Sequence, residues 1–238
     1  MQTEKYILCK QLKDCLILLH VKRTDKAIIP RIIQFGSFLQ ILSERLKIVG
    51  IKQAFIEAKQ YNVNHTALVY HESGVYKVFQ ANRANDVHTL LLSDYLTNTN
   101  GQIYASVHLD AEYTNMQKIN LLKLIDFYSK NIKYNIVLAF LAWRPARRLF
   151  SLFFCNKKIS RYTLCSDIVI RLFEKIFKQD IKDFLATTQI SFFSENHSNA
   201  PWRIFFATCR KEYHDWRQNL TNTIIIDSKE EFIKKLLK

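Results

Sequence analysis

Glycine and proline are scarce, with four and three residues in a chain of 238. No stretch can therefore serve as a glycine-rich flexible linker or a proline-rich spacer. Nor is there any internal repeat or low-complexity tract. Long apolar runs are missing too. The greasiest region, Ile136 to Cys155, is cut by Arg144, Pro145, Arg147 and Arg148, short of the roughly 18 residues that a membrane-spanning helix needs. Met1 to Lys13 is polar and lacks the apolar centre of a secretory signal. Nucleotide fingerprints of the GxxxxGK[ST] and GxGxxG types are absent, as is the GxSxG nucleophile elbow. The five cysteines, Cys9, Cys15, Cys155, Cys165 and Cys209, are odd in number and contain no CxxC pair. That argues against a disulfide framework or a zinc ribbon and suits a reducing compartment. Cys155, Cys165, Cys209 and His214 have no metal-site spacing, so no metal and no cofactor is expected. The chain reads as cytoplasmic, with a peripheral place at a membrane left open.

Acidic residues are outnumbered, 21 against 35 basic, for a net charge of +14. Such a balance suits an anionic partner: phospholipid, nucleic acid or cell-wall polymer. It is equally a plain property of a lysine-rich chain. The basic residues are spread along the sequence and no nucleic-acid module is visible, so nucleic acid is the least supported partner. The oligomeric state is left open.

With 48% apolar residues the chain can bury a sizeable core. Asp14 to Val21 predicts a short buried strand. Residues 31–60 carry Ile32, Phe35, Leu39, Leu42 and Leu46 at helical spacing, interrupted or ended at Gly36 and Gly50. Thr66 to Tyr70 and Val75 to Ala81 read as strands joined through His71-Glu72-Ser73-Gly74, a hairpin signature. Ile103 to Leu109 predicts a third strand. Thr114 to Asn131 predicts an amphipathic helix with Ile119, Leu122, Ile125 and Tyr128 on one face and Thr114 or Asn115 as cap. Leu164 to Lys178 predicts another, with a stripe of Ile168, Val169, Leu172, Phe173, Ile176 and Phe177. Trp202 to Thr208 reads as a late strand and Ser228 to Lys238 as a helical tail. The class is α+β, a small antiparallel sheet packed with helices.

Two features bear on chemistry. Cys165, in Arg161-Tyr-Thr-Leu-Cys-Ser-Asp-Ile-Val169, opens the second helix. A cysteine there meets the positive end of the macrodipole, which favours thiolate, and unpaired N–H groups that can hold an oxyanion. The alternative is a buried cysteine on the helix's inner face. His65 begins a strand, where backbone pairing would fix it as a general base; a histidine at a strand start is also ordinary surface. His71, in the turn, and His88 read as solvated.

Taken together, the His65 strand–turn–strand unit ending in Gln80-Ala81 and the later Cys165-Ser166-Asp167-Ile168-Val169 resemble the circularly permuted NlpC-type papain-fold cysteine hydrolases. These are the YaeF/YiiX-like amidases, their poxviral relatives and the lecithin:retinol acyltransferase branch. The permuted order, histidine before cysteine, holds here. Tyr134-Asn135 sits where the family tends to place Tyr-Asp, and Lys13-Asp14-Cys15-Leu16-Ile17 echoes a Gly-Asp-apolar strand. The resemblance covers residues 12–178. It implies a permuted papain-like fold, with Cys165 as nucleophile and His65 as base. Gln80 would be the orienting residue in place of the usual Glu, and Tyr134 an oxyanion donor. Gln80 can hold an imidazole tautomer but supplies no charge to an imidazolium. The implied activity is hydrolysis or acyl transfer at an amide or ester of a peptide or lipid substrate. The other reading is a non-catalytic papain-fold module that binds an anionic membrane or a protein partner.

Val137 to Cys155 mixes Trp143, Phe150, Phe153 and Phe154 with Arg144, Arg147 and Arg148, and no acid lies between Asp126 and Asp167. It reads either as a membrane-surface segment or as a core helix with a solvated basic edge. The expected organisation is one domain over 1–238, with its core at about 12–208, a helical insertion at 31–60 and a helical tail at 210–238.

Overall fold

The computed structural model describes residues 16–23, 28–82, 85–108, 114–134, 162–163, 165–177, 201, 204 and 221–226. The predicted strand at Asp14–Val21 is β1 (Leu16–Arg23), and it lies inside the sheet. β2 (His65–Glu72) runs antiparallel to it on one side and β5 (Gly101–His108) on the other. β3 (Val75–Asn82) and β4 (Asp86–Leu91) extend the β2 side, and β8 (Thr221–Ile226) extends the β5 side. The order is β4-β3-β2-β1-β5-β8, antiparallel throughout. A two-residue parallel pair, β6 (Lys133–Tyr134) with β7 (Tyr162–Thr163), stands apart.

The β2–β3 hairpin follows its sequence signature, with the strands running longer than expected. His71 and Glu72 belong to β2, so the turn is the two residues Ser73-Gly74, both at positive φ (51° and 85°). A two-residue turn with both centres left-handed matches the twist of the flanking strands.

Alternation along the strands separates two apolar layers. Ile17, Leu19 and Val21 share one face with Ala67, Val69, Val78 and Ala105, and α3 (Leu92–Asn98) covers it with Leu92, Tyr95 and Leu96. Leu18, Leu68, Phe79 and Ala81 point the other way. They meet α4 (Asn115–Asn131) and α5 (Cys165–Phe177) through Leu121, Ile125, Ile168, Val169, Leu172 and Ile176. Burying side chains of this size contributes about 1.5–3 kcal/mol each, so α5 is firmly held. α4 starts at Thr114 with a capping box, in which Gln117 N–H donates to Thr114 Oγ1 (3.3 Å) and Thr114 N–H to Gln117 Oε1 (2.6 Å). Its buried face uses Leu121 with Ile125 and Tyr128, while Ile119, expected inside, is exposed.

Residues 31–60 form two helices, α1 (Ile28–Val49) and α2 (Ile51–Gln60), broken at Gly50. Gly36 lies inside α1 rather than ending it. The expected stripe is not the buried one. Ile41, Ser37 and Arg45 are buried, whereas Phe35, Leu39 and Leu46 are exposed. Apolar residues surround this helix, so spacing alone could not choose the face. Buried Arg45 Nε donates to Glu57 Oε2 at 2.5 Å and ties α1 to α2.

Three further differences concern the late chain and the middle. Ile204, in the expected strand Trp202–Thr208, is helical and buried; the other residues of that run lie outside the described residues. β8 lies within 210–238, where a helical tail was expected: Thr-Asn-Thr-Ile-Ile-Ile is β-branched and pairs with β5. β4 and α3 were not anticipated. Val137–Cys155, Ser228–Lys238 and Lys13–Cys15 lie outside the described residues. Among the described residues, no helix is long and apolar enough to cross a membrane.

Candidate active site

The β2–β3 ladder runs from Glu72↔Val75 to Leu68↔Phe79 and stops. Beyond that point β2 stays with β1, pairing Thr66 with His20 and His65 with Val21, and β3 stays with β4, pairing Gln80 with His88. Residues 65–67 and 80–82 therefore part. One side-chain bond bridges the opening: His65 Nε2 to Gln80 Oε1, 2.8 Å, both side chains buried. The structure thus brings together the predicted base and its predicted orienting residue.

Cys165 is the first residue of α5, as the sequence implied, and it is a buried free thiol. The main chain of Thr66, at the parted end of β2, hydrogen-bonds to its sulfur, as do the main chain and hydroxyl of Ser166. These bonds lower the thiol pKa, so the main-chain groups are N–H donors, which favour thiolate. Residue 165 is thereby set one residue along β2 from His65. No hydrogen bond joins Cys165 to His65 among the described residues; Thr66 and the charge of Arg23 are the neighbours they share.

Burial decides the resting protonation states. Desolvation pushes the Cys165 thiol up from its ordinary value, against the Thr66 and Ser166 bonds and Arg23, which pull it down. A helix N-terminus alone favours thiolate; here the loss of water outweighs it. Desolvation likewise holds His65 well below the ordinary imidazole value; Arg23 and His88 add to this and the Gln80 bond opposes it. At neutral pH the Cys165 thiol and the His65 imidazole therefore both rest uncharged.

Several partners were not singled out from the sequence. Arg23 ends β1 and is half-buried, with its charge felt at His65, Cys165 and Tyr95. Tyr95, from α3, is buried and its hydroxyl is pushed up to about 12 by desolvation, against the charge of Arg23. The one available signal was the cationic end, Lys22-Arg23, of a mostly apolar strand. His88, expected to be solvated, is partly buried, with Nε2 3.2 Å from Gln80 Nε2 and Nδ1 3.3 Å from Asp86 O. His71 is exposed, with its ring centroid 5.0 Å from that of Tyr76 and the two rings tilted by 59°.

Tyr134, the fourth predicted site residue, pairs with Thr163, two residues before Cys165. Its main-chain N–H donates to Asp86 Oδ1 at 3.0 Å, and its ring packs against the α4–α5 core. It thus ties the lead-in of α5 to the edge strand β4.

No protein-family model matches this chain, and no curated protein matches it significantly.

Proposed function

We propose that this protein is a cysteine hydrolase or acyltransferase with a permuted papain-like fold of the NlpC type, acting on an amide or ester carbonyl of a peptide or lipid. The observation that carries the reading is a helix-opening thiol bonded to the main chain of Thr66, the residue that follows a histidine fixed by a side-chain amide. With His65 Nε2–H held by Gln80, Nδ1 is the ring nitrogen left to act as base. It takes the Cys165 proton as the sulfur attacks the carbonyl carbon, and then passes that proton to the leaving amine or alcohol. The resulting thioester is released when water or another acceptor, deprotonated by the same nitrogen, attacks it. A free thiol nucleophile suits a reducing, cytoplasmic setting. Intact-protein mass after incubation with a p-nitrophenyl acyl ester tests this. One acyl group on Cys165, absent in Cys165→Ala and slowed in His65→Ala, is expected. An unmodified wild-type chain would remove the catalytic reading.

A second reading draws on a separate observation. Ile48, Ile51, Phe55 and Ile56 are exposed at one end of the α1–α2 pair, beside exposed Lys52 and Lys59. Apolar side chains flanked by cations suit the surface of an anionic bilayer, where a lipid substrate would be met. Co-sedimentation with phosphatidylserine vesicles, compared between wild type and Ile51→Ser/Phe55→Ser, tests it. Equal binding by both excludes this surface.

A further inference from the structure

We propose that His88 is a positioning residue that fixes which nitrogen of His65 carries its proton, acting through the Gln80 side chain. The inference rests on the reading of His65 as the base, and it starts from a group that can only accept. The Asp86 carbonyl lies 3.3 Å from His88 Nδ1, so Nδ1 carries the hydrogen. In a neutral ring Nε2 is then a bare acceptor. The atom facing it at 3.2 Å is the Gln80 amide nitrogen, a donor. That fixes the amide's orientation and presents Oε1 to His65 Nε2 at 2.8 Å. An acceptor there requires Nε2–H on His65 and leaves Nδ1 bare, as a base must be. Each bond sets the direction of the next.

Without His88, either orientation of the Gln80 amide would satisfy His65 equally. The flipped amide donates to Nε2 and moves the ring proton to Nδ1, which disables the base. A carboxylate at position 80 would avoid this ambiguity because it only accepts; with glutamine, the orientation has to come from outside.

The start of the relay is itself held. Asp86 has a positive φ of 54°, a conformation uncommon for a residue other than glycine. Its Oδ1 accepts from Tyr134 N–H, and Asn82 Oδ1 accepts from Asn85 N–H at 2.9 Å in the same turn. The relay therefore extends from the lead-in of the Cys165 helix, through Tyr134 and Asp86, to the base.

The test is ¹⁵N NMR of the His65 ring at mildly alkaline pH in the full chain, read beside the Cys165 acylation rate. Wild type should show Nε2–H with bare Nδ1. His88→Phe should bring in the Nδ1–H form and slow acylation roughly tenfold, as expected when a base loses its fixed tautomer. In Gln80→Glu/His88→Phe the Nε2–H form should return, which a general loss of packing would not produce. Wild type with its proton on Nδ1, or a His88→Phe spectrum identical to wild type, overturns the relay. If His88→Phe does not fold, the wild-type tautomer decides. A chain that shows the expected tautomers yet takes no acyl group on Cys165 refutes the hydrolase reading and leaves the relay standing.

Discussion

The sulfur of Cys165 lies against the main-chain N–H of Thr66, the residue after His65, where β2 has left β3. A continuous ladder would have engaged that N–H within the sheet. The parting of the two strands leaves that donor to the thiol, one residue along β2 from the imidazole.

Burial raises the Cys165 thiol pKa, so its thiolate should form above the range of an ordinary thiol. Iodoacetamide should label Cys165 slowly at neutral pH, with the rate climbing on the alkaline side. Arg23→Gln, which removes a charge that lowers the thiol pKa, should move the climb to still higher pH. Rapid labelling below neutral pH would mean a preformed thiolate–imidazolium pair.

His65 is held well below the ordinary imidazole value, so it should remain a free base into the acid range. The acid limb of kcat/KM should fall below pH 6.5, the ordinary imidazole value. Gln80→Glu places a negative charge beside the ring, stabilises imidazolium and should shift that limb upward.

His20 is wholly buried and its pKa is lowered to about 3 by desolvation. The unfolded chain protonates this residue near 6.5, whereas the fold resists until about 3. The neutral form is therefore favoured by folding above 6.5, and stability drains away as pH falls from 6.5 toward 3. The expected slope is about 1.4 kcal/mol per pH unit from this group. His20→Phe should flatten the fall of the urea midpoint between neutral and mildly acid pH; an unchanged slope would contradict the assignment.

Arg45 and Glu57 form a buried ion pair across the α1–α2 junction, and Gln53 Nε2 also donates to Glu57 Oε1 at 3.1 Å. Removing one charge leaves the other buried and alone, so Glu57→Ala should cost about 3–5 kcal/mol in denaturant unfolding. Arg45→Met/Glu57→Leu, with neither charge, should cost less than Glu57→Ala.

Gly101, at φ 128°, faces Arg23 in the β1–β5 ladder, and a Cβ there would run into the Lys22 carbonyl. Gly101→Ala should destabilise the fold by about 2 kcal/mol or more. Because the charge of Arg23 is felt at Cys165 and His65, the same change should also slow acylation; full stability with full activity would show that the strand shifts freely.

Much of the local structure was legible in the sequence. The Ser73-Gly74 turn, the Thr114 cap and the position of Cys165 at the start of α5 depend on residues a few places apart, and those interactions are written in order along the chain. The His65–Gln80 pair came from a family resemblance rather than from spacing, and the structure makes the bond. The exposed face of α1 was misjudged because apolar residues ring the helix, and only its contact with α2 and Tyr104 decides which go inside. β8 was missed because a short β-branched run becomes a strand when β5 offers it an edge.

The sequence by itself determined the periodicities, the turn, the caps and the order of histidine before cysteine, because these follow from covalent neighbours and side-chain shape. Only the tertiary structure decided that β2 and β3 part, that the charge of Arg23 is felt at the thiol, that His88 lies against Gln80, and that both Cys165 and His65 rest uncharged. Those outcomes depend on how much water distant segments exclude and on which donors they bring within reach, and neither quantity is carried by any local stretch of chain.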